Sequence, residues 1–224
     1  MSQMISLLIE ALGQTLAMVI VSCALAVLGG LPLGVLLFIT RNQGILKGIT
    51  IHRILGFVVN GVRSIPFIIL MVAIIPATRL ITGTSIGMVA AMVPLTLSAI
   101  PFFARLVEAG LKEVPYGLIE ASQAMGASPW QIILKVLLPE SLPMLVRGIT
   151  LTLITLVGYS AMAGAIGGGG LGDLAIRYGY QRFEISVMIY TVLILILLVQ
   201  LLQYLGDWIA HRLSHHKEGW SAKG

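Results

Sequence analysis

Five long apolar stretches, 15–40, 54–75, 85–108, 142–166 and 185–209, account for most of the chain and are separated by polar breaks. As helices, each is long enough to cross a hydrocarbon core of about 30 Å, which takes roughly 20 residues. The pattern predicts an all-α membrane protein with five transmembrane helices, built as a single domain over 1–224. Gly29, Gly30, Pro32, Pro66, Pro94 and Pro101 fall inside these stretches. Such breaks are tolerated at membrane depth where neighbouring helices satisfy the freed backbone groups. The connections are short except for one, the loop 109–141 between the third and fourth stretches.

That loop reads as two short helices. Pro115 suits a first helical turn, where its missing N–H costs nothing. Glu120 follows near the positive end of the helix dipole, and Gly126 sits where a C′ residue ends the helix. Ser128-Pro129-Trp130-Gln131 is a capping box with proline at the first helical position, so it starts a second helix. Pro139 disfavours helical geometry in the residue before it, which predicts an end near Leu138. The two helices would meet at Gly126–Ala127 and expose Leu118, Ile119, Met125 and Trp130.

Composition agrees with a polytopic membrane protein. The chain is 58% hydrophobic and 10% charged, with a mean hydropathy of +1.00, where a soluble domain carries about 25% charged residues. The net charge of +5 comes from scattered basic residues, not from a patch with interleaved aromatics, so nucleic acid is not an expected partner. With the 109–141 loop inside the cell, that side holds Arg41, Lys47, Arg53, Arg63, Arg105, Lys112, Lys135, Arg147, Arg212, Lys217 and Lys223. The other side keeps Arg79, Arg177 and Arg182. This bias sets the N-terminus outside and the C-terminus in the cytoplasm. The first 14 residues lack a basic n-region and a small-residue cleavage site, so a removable signal peptide is not expected. Cys23 has no cysteine partner and reads as a small core residue.

Candidate chemistry is sparse. No G-x-x-x-x-G-K-[ST] occurs, so the chain cannot cradle a nucleotide by the P-loop mechanism. Gly167–Gly172 fits G-x-G-x-x-G, yet a dinucleotide site needs a preceding strand; a flexible outer loop or a close-packed re-entrant turn is expected instead. Gly170-Leu-Gly-Asp173 lacks a second carboxylate for a protease dyad, since Asp207 lies near the opposite face. The four histidines (His52, His211, His215, His216) suggest no metal site. Secondary transport would use mid-span carboxylates, and Glu108 and Asp207 lie at span ends. In the fourth stretch Gly148, Thr152, Thr155, Tyr159 and Met162 form one helical stripe, either lining a path or making a small-residue seam. Arg63 lies about nine residues into its stretch, roughly 13 Å at ~1.5 Å per residue, which calls for a cavity or a partner. Five helices are too few to surround an aqueous path while shielding every polar group from lipid, which predicts a two-fold pair.

Glu120-Ala121-Ser122, Gly126, Ile132 and Leu138-Pro139 resemble the EAA loop of ABC-importer permeases, with Ser122 at a position where the family has alanine. The likeness extends from Thr15 to Asp207. Arg63–Leu70, Val93–Thr96, Pro101–Arg105 and Leu153–Met162 are similar to the permeases of methionine importers. The resemblance implies an ABC type I importer permease fold in a bacterial cytoplasmic (inner) membrane. It implies a homodimer, two ATPase subunits that bind ATP and Mg, and an external methionine-binding protein. The chain itself would hold no cofactor and catalyse no reaction. Glu120, Ala121, Ser122, Met125, Gly126, Ala127 and Trp130 would meet the ATPase. Arg63, Thr152, Thr155, Tyr159, Ser160 and Met162 would lie along the translocation path or gate. A permease for another amino acid or an osmolyte is the alternative.

Overall fold

The computed structural model describes residues 2–41, 45–46 and 48–221, with side chains from Met4 to Ser214 within those ranges. Lys47 and the side chains of His215, His216, Lys217 and Lys223 lie outside the described residues. Ten α-helices follow one another, and no strand occurs among the described residues: α1 (Ser2–Ile39), α2 (Ile49–Ser64), α3 (Phe67–Ala73), α4 (Ile75–Thr82), α5 (Met88–Lys112), α6 (Tyr116–Ala124), α7 (Pro129–Ile132), α8 (Leu138–Ala163), α9 (Gly170–Leu174) and α10 (Ile185–Ser221). Wider π-helical turns connect α7 to α8 (Ile133–Leu137) and follow α9 (Ala175–Tyr180), while Gly164–Gly168 after α8 is a kink that leaves helical geometry at Ile166 and Gly167.

The most extensive packing is between α1 and α5. Gly30 and Gly34 lie one turn apart on α1 and let the two backbones approach. A Cβ on Gly30 would sit 2.8 Å from the Ile100 carbonyl oxygen, and one on Gly34 would sit 2.5 Å from that of Ala104. Small residues at this spacing are the usual device where van der Waals contact replaces the hydrophobic effect. Around this pair, α8 adds Leu156 and Val157, and α3 adds Phe67 and Met71, to a core with Met18, Val19, Cys23 and Leu95. A second cluster gathers Phe38, Phe103, Val107 and Leu111 with Ile119, Ile132, Leu137 and Leu145, joining the 113–137 region to the ends of three long helices.

Four stretches, Met4–Ile39, Met88–Lys112, Pro129–Gly168 and Ile185–Ser214, are each long and apolar enough to span a bilayer among the described residues. Only 11% of the most apolar part of α10 is buried, against 44% for α5, so α10 presents its apolar surface to lipid or another subunit.

The expected helix over 54–75 requires correction: α2 and α3 are bent by 100°. Pro66 is the cause. The residue before a proline is pushed out of the helical region, and Ile65 is extended at φ −80°, ψ 124°. A second correction concerns Pro139, which does not end a helix. The π turn before it lets the Leu138 N–H reach the Ile133 carbonyl, and Pro139 occupies the first turn of α8, where no donor is needed. The second loop helix is therefore continuous with the fourth span, and the loop 109–141 contracts to 113–128. The first and last helices also run well past 15–40 and 185–209.

The glycine-rich segment is a close-packed turn. Gly167, Gly169 and Gly170 adopt φ of 89°, 79° and 78°. Gln14 Oε1 accepts from the Gly170 N–H at 2.8 Å, and Thr15 Oγ1 accepts from the Leu171 N–H at 2.9 Å, which caps α9 from α1. A Cβ on Gly172 would run into the Ala161 backbone, whereas Gly13 faces open space. Gly172→Val is expected to destabilise the protein by about 2–3 kcal/mol. Gly13→Ala is expected to be neutral or stabilising by up to ~1 kcal/mol. Thermal unfolding of the detergent-solubilised protein checks both.

Candidate docking surface and gate

Past Lys112 the chain turns through Glu113 and Val114 into α6, with Pro115 as N-cap, one position earlier than the sequence suggests. Gly126 adopts φ 80° and ends the helix as expected. Its N–H donates to the Gln123 carbonyl at 2.9 Å, and the Ala127 N–H donates to that of Ser122 at 3.0 Å. These two bonds satisfy carbonyls that a helix end leaves open. Two residues later the capping box forms. Gln131 N–H donates to Ser128 Oγ at 3.4 Å, and Ser128 N–H donates to Gln131 Oε1 at 2.8 Å. The turn is thus shaped by its own backbone and caps.

Its outer face is apolar. Met125 is 81% exposed and Trp130 72%, with Leu118 and Tyr116 also exposed. Glu120 and Ala121 are exposed as well. Exposed Met and Trp near carboxylates have the composition of a protein-docking patch. Two expectations are corrected. Ile119 is buried against Ile132 and Leu137 and holds the loop to the helix ends. Ser122 is also buried, its hydroxyl donating to the Leu118 carbonyl at 2.7 Å, so it packs the loop from inside.

From Trp130 the helical rod leads to the fourth-span stripe, which divides in two. Gly148 and Thr152 are buried, and a Cβ on Gly148 would touch Leu106 at 3.4 Å. Thr152 Oγ1 donates to the Gly148 carbonyl at 2.8 Å, and the buried Ser160 donates to that of Val157 at 2.8 Å. These three make a helix–helix seam. Thr155 and Tyr159 are partly open and Met162 is exposed, so this part of the stripe remains available to a path. Thr155, too, donates its hydroxyl backward, to the Leu151 carbonyl at 2.8 Å.

Tyr159 is not isolated. Its ring stacks on Phe67, with centroids 4.5 Å apart and planes 4° from parallel. Phe67 is the first residue of α3, directly after the Pro66 break, so the contact joins α8 to the broken span. Arg63 is in the last turn of α2 next to that break, not within a straight helix as its sequence position suggests. Its guanidinium lies 6.0 Å from the Phe102 ring centre. The sequence reading missed Phe67 because the stacking needs two segments about ninety residues apart.

The remaining candidates are accounted for. Asp173 pairs with Arg177 at 2.5 Å, and Gln203 Nε2 donates to Asp207 at 2.8 Å. His52 Nδ1 donates to the Leu37 carbonyl at 2.9 Å. Among the described residues no group of His, Cys, Asp and Glu is arranged to hold a metal ion.

Comparison with known proteins identifies the architecture. The family described as the binding-protein-dependent transport system inner membrane component matches residues 30–216. The chain belongs to this family. It is 57% identical to the probable D-methionine transport system permease of Vibrio cholerae over 93% of each chain. It is 58% identical to the D-methionine transport system permease of Escherichia coli K12 over 72% of this chain and 74% of that one. A chain of the MetNI methionine ABC transporter, solved in inward-facing conformations, superposes with a TM-score of 0.94. The two are 52% identical, covering 95% of this chain and 99% of that one. As an inner-membrane component, the chain has its apolar helices in the bacterial inner membrane.

Gly126→Asp adds a side chain and a charge at positive φ in the turn between the exposed Met125 and Trp130. Co-purification with the cognate ATPase is expected to drop at least about tenfold, equivalent to ~1.4 kcal/mol, with the mutant still inserted in the membrane.

Proposed function

We propose that this chain is the translocating subunit of an ATP-driven methionine importer, taking D- or L-methionine and related compounds. The observation that carries this reading is the near-complete match to the permease of a methionine ABC transporter, at 52% identity and a TM-score of 0.94. Two copies form the path, two ATPase subunits hold ATP and Mg and hydrolyse the nucleotide, and an external methionine-binding protein delivers substrate. The chain forms one permease domain and holds no cofactor of its own.

Five spans cross the membrane when the bent pair α2–α3 counts as one, with the N-terminus outside and the C-terminus in the cytoplasm. The excess of basic residues on the loop side supports that orientation. The ATPase is met by Glu120, Ala121, Met125, Gly126, Ala127 and Trp130, with Ser122 bracing them from behind. Nucleotide-driven closure of the two ATPases moves the docked loops, and the packed helices follow as rigid bodies. Tyr159 and Met162 form a gate with Phe67, Thr155 lines the path below it, and Thr152 and Ser160 keep α8 seated against its neighbours. Arg63 faces the aqueous path at the inner end of the gate, where a charge is tolerated.

The test is uptake of labelled L-methionine at low external concentration in host cells with and without the gene, in a background without other methionine importers. Uptake should be lost on deletion and restored by the intact gene; unchanged uptake would redirect the substrate to another amino acid or an osmolyte. Arg63→Leu is expected to reduce uptake about tenfold or more at normal membrane abundance, measured by immunoblot of the membrane fraction.

A further inference from the structure

Glu108 is 2% exposed, near the end of α5 and four residues before that helix gives way to the docking loop. Arg105 Nη1 lies 2.5 Å from Glu108 Oε2, and Lys112 Nζ lies 2.6 Å from Oε1, so each carboxylate oxygen has its own cation. The other terminal nitrogen of Arg105 leaves this helix altogether: Nη2 donates to the Gly56 carbonyl on α2 at 3.2 Å. A side chain on Gly56 would crowd that nitrogen, at 3.3 Å from its Cβ. A mid-helix carbonyl already bonded within its helix is an unusual target for an arginine. Glu108 orients the guanidinium so that one arm reaches it, and a buried carboxylate with paired cations holds that geometry firmly.

The consequence lies at the far end of α2. That helix leads to the Pro66 break and to Phe67, one half of the aromatic stack with Tyr159. The other half sits on α8, which is continuous with the second docking helix. The α8 side of the stack is joined to the docking loop through the α7–α8 rod; the α3 side, besides its packing on α5 and α8, is joined to it through Glu108, Arg105 and α2.

We propose that Glu108 is a positioning residue for transport, holding Arg105 against α2 so that movement of the docked loop reaches both faces of the Phe67–Tyr159 contact. This rests on the docking and gating reading above. Neutralising Glu108 would leave two cations facing an amide and free Arg105 from α2; α8 would still follow the loop, but α3 would not.

The test uses the chain assembled with its ATPase in lipid nanodiscs, in a Cys23→Ala background. Spin labels at Ile69→Cys on α3 or Leu134→Cys in the α7–α8 rod report the distance between the two copies. Without substitution at Glu108, both distances are expected to change when a non-hydrolysable ATP analogue binds. In E108Q the Leu134 change persists and the Ile69 change is lost, while methionine transported per ATP hydrolysed drops about tenfold, within the range for residues along a coupling route. E108D restores the Ile69 change. R105K keeps a charge for Glu108 but cannot span to Gly56, and reproduces E108Q. An Ile69 change that survives in E108Q, or two changes that shrink together, would overturn the proposal. If neither distance responds in the parent, the docking reading fails and this inference with it. If both respond without methionine uptake, the proposal stands and only the substrate assignment is refuted.

Discussion

Hydrocarbon offers no hydrogen bonds, so each backbone group at membrane depth must find its partner within the protein. The breaks in this fold are arranged around that requirement. At Pro66 the chain leaves helical geometry, and the Pro66 carbonyl at once accepts from the N–H groups of Ile69 and Leu70. At the glycine-rich turn, Gln14 and Thr15 reach from α1 to the first free N–H groups of α9, and Gly87 donates to the Gly167 carbonyl. Before Pro139 the helix widens by one residue per turn and continues. The first and last of these breaks are closed by bonds within a few residues, and the glycine-rich turn is held by another element.

The same solvent removes the usual drive for helices to associate, so contact depends on how closely backbones can approach. Gly30 and Gly34 on α1, and Gly148 on α8, serve that end at α5. The hydroxyls of Thr150, Thr152, Thr155 and Thr191 turn back to carbonyls one turn earlier, so they enter helix packing without seeking partners elsewhere. What is left exposed is extensive and apolar on α2, α3 and α10. A binding-protein-dependent permease has both lipid and neighbouring subunits to cover such faces.

Mechanically, the exposed loop face around Met125 and Trp130 and the aromatic stack are linked by helical elements. Met125 and Trp130 flank a turn closed by two backbone bonds and a capping box, and the rod beginning at Pro129 runs on through α8 to Ala163. The buried Ile119 packs this turn against the ends of α1, α5 and α8. A displacement applied at the exposed face has little slack in which to dissipate before reaching the core around Phe67, Leu156 and Val157.

Much of this was legible in the amino-acid sequence. Apolar length identifies four of the spanning stretches, Gly126 and the Ser128–Gln131 box locate the loop turn, and the missing P-loop leaves energy supply to a partner. These are local signals, carried by residues a few positions apart. The i−3 and i+4 placement of Arg105 and Lys112 about Glu108 was equally readable as a helical ion cluster, but not its reach to Gly56. Tertiary structure alone decided the 100° bend, the passage of the helix through Pro139, the burial of Ile119 and Ser122, and the stacking of Phe67 on Tyr159. A proline states that one donor is missing, not whether a neighbouring turn widens to accommodate it. An aromatic or a hydroxyl at a given helical position likewise leaves open which neighbour it meets, because that depends on the packing of segments far apart in the chain.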